Sequence, residues 1–159
     1  MPKIELQIEL RERREYDLER CVRVLRLVHE ADHYPMVWPR DPVRWLTPAS
    51  MLRGWVAVTH TDVLVGHVLL TAQARDTLEI ARLFVSPEAR GHGIGAALLD
   101  RAGAWADEQE RGLELEVVAD ERSRAIALYE RAGWRRTGTT TAEWTTPDGG
   151  RVEVHRYTR

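Results

Sequence analysis

Residues 86–106 read SPEARGHGIGAALLDRAGAWA. The first half carries Gly91, Gly93 and Gly95 at alternate positions, directly after the apolar run 77–85 and directly before a helical pattern. Ordered glycine costs conformational entropy, so three of them at a strand-to-helix junction raise the question of what approaches the backbone there. Downstream, Ile94, Ala97, Leu98, Ala102 and Trp105 recur at helical spacing, and a second apolar run covers residues 113–119. A strand, a helix and a returning strand in this order require parallel pairing.

The flanking chain reads as antiparallel neighbours of that unit. Ile4, Leu6, Ile8 and Leu10 alternate with polar residues, the period of a half-buried strand. Between residues 16 and 29 the spacing of Leu18, Cys21, Val22, Leu25 and Val28 becomes helical. Residues 32–48 (DHYPMVWPRDPVRWLTP) hold four prolines and no periodicity, which predicts a loop with a short helix around Val43 to Leu46. Runs at 54–60 and 63–72 flank Thr61-Asp62 like a hairpin. Residues 124–132 predict a short helix that Gly133 closes. Residues 134–145 and 152–157 flank Pro147-Asp148-Gly149-Gly150, a strong turn signal. The expected fold class is α/β with a mixed, mostly antiparallel sheet, in a single domain over residues 1–159.

Composition narrows the function classes. Of 159 residues, 43% are hydrophobic and 30% charged, as in ordinary globular proteins, and the formal net charge of −2 offers no general attraction for nucleic acid or an acidic membrane. Cys21 is the single cysteine, so neither an intrachain disulfide nor a cysteine metal cluster is expected. The alternating N-terminal stretch lacks the apolar centre of a signal peptide, and no segment has the length of a membrane span, which makes the cytoplasm the default address. His29 and His33 stand at metal-like spacing with no third ligand evident; no metal is expected.

At the glycine loop, the lysine and hydroxyl of a nucleoside-triphosphate loop are missing, and the glycine spacing fails the dinucleotide fingerprint. Two readings stay open: a tight turn with close helix packing, or helix N-terminal amides left free to bind a pyrophosphate, with Arg90 beside them. Arg90-Gly91-His92-Gly93-Ile94-Gly95 fits the pattern [RQ]-x-x-G-x-[GA], and the stretches LEIARLFVSPEARGHGIGAALL and RAIALYERAGW extend the match. Together they resemble the GNAT superfamily of acetyl-CoA-dependent N-acetyltransferases over nearly the whole inferred element order.

The resemblance implies a central sheet flanked by helices, with splayed central strands. Coenzyme A pyrophosphate is expected on the loop comprising Arg90, Gly91, His92, Gly93, Ile94 and Gly95, though His92 would serve equally as a solvated surface residue. Backbone groups of Leu83, Phe84 and Val85 are expected to bind pantetheine as an added strand would. Where the family commonly has an asparagine this chain has Arg122, so the usual contact to the pantetheine arm is either replaced, by Ser123, or lost, and the basic side chain would instead reach phosphate. Tyr129 fills the tyrosine of the L-Y-E motif and is the implied proton donor to the departing thiolate; its alternative is a core aromatic. Glu79 matches a strand position where some members carry a base; in a regular strand it shares parity with Leu83 and Val85, and a bulge, common in this strand of the family, would break that parity. The alternatives for Glu79 are a salt bridge, as with Arg82, or plain exposure.

The acceptor is expected beside Tyr34, Trp38 and Trp45, whose rings suit apolar or cationic amines. The same rings would equally pack the loop or form a homodimer interface. The expected activity is transfer of an acetyl group from acetyl-CoA to an amine of a small molecule. A peptide or protein acceptor, and an acyl-CoA-binding domain without turnover, are the alternatives.

Overall fold

The computed structural model describes residues 7–73, 76–120 and 122–159. Ile4 and Leu6 of the expected first strand lie outside them. That strand, β1, covers Ile8–Glu12, and the helix that follows, α1, covers Leu18–Asp32. The helix runs three residues past the expected end at His29. It stops where His33 adopts a left-handed conformation at φ 58° and its N–H bonds the His29 carbonyl at 2.9 Å. No glycine marks that stop in the sequence. The proline-rich loop holds one helical turn, α2 (Pro42–Trp45), capped by the Asp41 carboxylate accepting from the Arg44 amide at 3.1 Å.

Strands β2 (Met51–Thr59), β3 (Leu64–Ala72) and β4 (Thr77–Val85) follow, then α3 (Ile94–Glu108), β5 (Gly112–Val118), α4 (Arg124–Arg131), β6 (Arg135–Thr145) and β7 (Arg151–Thr158). They form one seven-stranded sheet in the order β1-β2-β3-β4-β5-β7-β6. The β4–β5 pair is parallel and every other pair is antiparallel. The parallel pair is the one that the strand–helix–strand unit demands. Gly133 sits at φ +88°, as expected of a left-handed cap.

Apolar side chains fill both faces. Val68, Leu70, Leu78, Ile80 and Leu115 meet Leu98, Leu99, Ala102, Ile126 and Tyr129 on the α3/α4 face. Val56, Val58, Leu64 and Phe84 meet Cys21, Leu25 and Val28 of α1, with Leu46, on the other. Burying such side chains stabilises a fold by roughly 1.5–3 kcal/mol each. At Gly66 a side chain is excluded by packing: an added β-carbon would stand 3.0 Å from Leu98 and 3.1 Å from Ile94, so α3 lies close against β3.

The β3–β4 register shifts once. His67 pairs Phe84 while Leu69 pairs Ala81, so Arg82 and Leu83 together face Val68. Arg82 takes up the extra residue with φ 53°, a left-handed conformation that a non-glycine residue adopts at a cost. This bulge breaks the parity that a regular strand would give Glu79, Leu83 and Val85. Leu78 and Ile80 join the α3/α4 cluster, as do Leu83 and Val85 beyond the bulge. Glu79 therefore lies on the opposite face, the one that Phe84 shares.

Candidate active site

Strands β4 and β5 pair only from Thr77 opposite Gly112 to Ile80 opposite Leu115. Beyond Ile80, β4 continues to Val85 and β5 to Val118 with no pairing between them. The two strands thus splay, and the side of β4 that would pair β5 stays open over Leu83, Phe84 and Val85. Phe84 is buried and stacks on His67 with ring centres 4.9 Å apart, while Leu83 and Val85 are half-buried on the α3/α4 side.

Glu79 lies one residue before the splay begins. Its carboxyl is pushed up to about 7, first by burial, then by the nearby Glu116 and Glu114, against the pull of Arg156 and Arg82. Glu114 pairs with Glu79 across the parallel strands, and Arg156 lies 3.6 Å from both Glu114 and Glu116. A carboxyl that gives up its proton near neutrality is matched to general-base work.

Tyr129 packs in the α3/α4 cluster, its ring centre 6.2 Å from Trp134 and 6.3 Å from Tyr157. Burial holds its phenol protonated well above the usual range, and the Tyr34 phenol adds to the effect. Tyr34 packs on the opposite face of the sheet. The two hydroxyls are near enough to influence each other electrostatically. Among the described residues, none hydrogen-bonds the Tyr129 hydroxyl.

The three aromatic residues expected at the acceptor divide. Tyr34 and Trp45 meet edge to face at 6.2 Å, and the Arg82 guanidinium lies over the Trp45 ring at 3.9 Å. Trp38 turns instead toward α1, with His29 at 5.3 Å and the Arg26 guanidinium at 4.9 Å. Two residues beside this opening had no site role in the sequence. Arg82 is one. The other is His67, fully buried in β3, whose Nδ1–H donates to the Arg82 carbonyl at 2.8 Å while Arg13 Nη1 donates to Nε2 at 3.0 Å. A lone histidine inside the apolar run LVGHVLLTA was the available signal for the second.

The glycine loop gives different reasons for its glycines. Gly91 and Gly93 sit at φ +80° and +72°, and a β-carbon on either would meet nothing within 4 Å. Gly93 is the N-cap of α3 and brings no side chain to its first amides. Gly95 is helical, and an added β-carbon would come within 2.9 Å of Leu128, so close packing of α3 on α4 already accounts for it. His92 Nδ1 stays within the loop, 3.1 Å from the Ala89 carbonyl and 3.0 Å from that of Arg90. Ile94 is buried in the core. Arg90 pairs with Asp32 at the end of α1, and Arg124 Nε stands 4.0 Å from the same carboxylate. Ser123 caps α4, its Oγ accepting from the Ile126 amide at 3.3 Å.

These features fit coenzyme A on chemical grounds. Uncapped amides of a fifteen-residue helix beside two unobstructed glycines suit a pyrophosphate, and open strand edges suit the amides of pantetheine. Among the described residues, no cluster of three metal-ligating side chains is present, and no helix is long and apolar enough to cross a membrane.

Residues 15–134 match the acetyltransferase (GNAT) family model. The peptidyl-lysine N-acetyltransferase YjaB of Escherichia coli is 34% identical over 98 residues, which cover 62% of this chain and 58% of that protein. Its Salmonella typhimurium counterpart is 37% identical over 84 residues, 53% of this chain and 51% of that one. The chain thus spans less than two thirds of the length of these relatives. Among solved structures, Arabidopsis thaliana NAA60 in complex with acetyl-CoA superposes with a TM-score of 0.74 at 20% identity, over 96% of this chain and 98% of that one. Such a likeness speaks for the fold, and the family match speaks for descent. With both strands of the splay and the glycine loop inside the matched residues, the chain belongs to the acetyltransferase (GNAT) family.

Proposed function

We propose that the protein transfers the acetyl group of acetyl-CoA to the primary amine of a small molecule, with Glu79 as base and Tyr129 as proton donor. The observation that carries this reading is the parting of β4 and β5 beyond Ile80, directly after Glu79. Glu79, pushed up to about 7, takes a proton near neutrality, while burial keeps the Tyr129 phenol protonated until a thiolate forms beside it.

Acetyl-CoA supplies an activated acyl thioester. Gly91, Gly93 and the first amides of α3 would hold its pyrophosphate, and the open backbone of Leu83, Phe84 and Val85 its pantetheine arm. An alkylammonium with pKa about 10.4 is almost wholly protonated at pH 7, so Glu79 removes a proton before nitrogen becomes a nucleophile. The new C–N bond forms as the C–S bond breaks. The sulfur takes the Tyr129 proton and the nitrogen gives up its second proton to solvent; Glu79 then releases its proton to solvent and Tyr129 regains one from it. Tyr34 and Trp45 form the acceptor wall in this reading, and Arg90 reaches phosphate only after leaving Asp32.

A second acceptor is favoured by a specific observation, since the relatives at 34% and 37% identity are named peptidyl-lysine N-acetyltransferases. Thiol release from acetyl-CoA, measured with a panel of small primary amines and with lysine peptides, tests both. Small-amine turnover supports the first acceptor, turnover with peptides alone supports the second, and release with neither contradicts acetyl transfer.

A further inference from the structure

Among the described residues, Arg82 makes no ion pair. It is half-buried, and burial lowers its affinity for its proton, the signature of a cation taken partly out of water. Its Nε donates to the Trp45 carbonyl at 3.3 Å and its guanidinium plane covers the Trp45 ring. Among the described residues, no carboxylate lies within ion-pair distance of it. Glu79 and Tyr34 act on it only through the longer-range field, and Glu79 stays near neutrality despite that cation. Buried charges are normally paired, so a partly desolvated arginine whose two terminal nitrogens bond none of the described residues presents a two-pronged donor to something else.

The position is also built rather than incidental. A left-handed residue in a strand persists only where its surroundings hold it. Here the Arg82 carbonyl is fixed by His67, which is fixed in turn by Arg13, and Arg13 Nη1 donates to the Leu46 carbonyl at 2.6 Å. The bulge turns the arginine onto the face that holds Tyr34, Trp45 and Glu79.

Building on the acetyl-transfer reading above, we infer that Arg82 binds a carboxylate of the acceptor, so that the preferred substrate is an amine that also carries an acid group. The guanidinium takes the two carboxylate oxygens in parallel, and the Trp45 ring beneath fixes its plane. The amine end then lies toward Glu79. A lysine side chain within a protein offers no such acid group, so Arg82 separates the two acceptors considered above.

The test uses the whole protein and a series of free amino acids (glycine, β-alanine, 4-aminobutyrate and the common α-amino acids), each beside its own amide. Because acid and amide differ in amine basicity, the informative quantity is the acid-to-amide ratio of kcat/KM in wild type divided by that in Arg82→Met. We expect at least one pair for which this quotient is about tenfold to a hundredfold, carried by KM, as for a charge-assisted hydrogen-bonded pair. Arg82→Lys should restore part of it. A quotient near one for every pair, or an equal loss on acid and amide, overturns the inference while leaving acetyl transfer intact. If no amine is turned over, the acetyl-transfer reading fails first. Thermal shifts with the N-acetylated acids and their amides then decide about Arg82: stabilisation by the acids alone that Arg82→Met abolishes supports the carboxylate site, and equal or absent stabilisation overturns it.

Discussion

His67 and Arg82 are joined across the β3–β4 bulge by a 2.8 Å hydrogen bond from the buried imidazole to the backbone carbonyl of the left-handed residue. Because Arg13 donates to the other ring nitrogen, the imidazole is neutral with its proton on Nδ1. Burial, with Arg13 and Arg82 nearby, pushes its pKa down to about 3. Stabilisation from a depressed pKa is complete above the unfolded value, near 6.5, and is lost as pH falls toward the folded one. Stability is therefore expected to fall by up to about 1.4 kcal/mol per pH unit below pH 6.5 on account of this single proton. Replacing His67 by Asn removes that slope. Chemical denaturation of both proteins between pH 5 and 6.5 measures the difference; parallel curves would contradict a neutral, buried His67.

Glu79 has the opposite sign. Its folded pKa of about 7 lies above the ordinary 4.5, so its contribution is fully present below pH 4.5 and is lost as pH rises through 7. Glu79→Gln should consequently gain stability relative to wild type across that window. In catalysis the same group predicts a kcat that rises with an apparent pKa near 7. In Glu79→Gln that limb disappears, and turnover at neutral pH drops by about a hundredfold or more. A variant retaining the limb would move the base elsewhere.

Tyr129→Phe removes a hydroxyl that makes no hydrogen bond with the described residues, so the fold should lose little stability. Turnover should fall by about a hundredfold with the dissociation constant for acetyl-CoA unchanged, provided chemistry limits the rate. Wild-type kcat in that variant would make Tyr129 a packing residue.

The glycine loop separates binding from folding. Asparagine tolerates a left-handed backbone, so Gly93→Asn should melt within a few degrees of wild type yet lose the thermal shift with coenzyme A, its side chain filling the space proposed for pyrophosphate. Gly95→Val should instead lower the melting temperature without ligand, because Leu128 must turn away. A Gly93→Asn protein that binds coenzyme A normally would place the phosphates elsewhere.

Turn chemistry and periodicity made much of this legible. The glycine loop, the parallel unit around it and the Pro147–Gly150 hairpin follow from residue types whose backbone preferences are local. The bulge does not, since Arg82 is an ordinary strand residue and its left-handed turn is set by pairing with β3. Glu79 consequently changed face relative to a regular strand. Trp38 and Trp45 share one aperiodic loop, and only tertiary packing sends one to α1 and the other to Arg82. Arg90 was legible as a cation beside the loop, but its partner Asp32 lies far off in sequence.

Amine acetylation is tested most directly by the yield of N-acetylated product against free coenzyme A from purified protein, acetyl-CoA and the amine panel. It predicts equal molar amounts of the two, formed only with an amine present, and a roughly hundredfold slower course in Tyr129→Phe at unchanged acetyl-CoA binding. Tight acetyl-CoA binding with neither product formed for any amine or lysine peptide would contradict it and leave a binding domain.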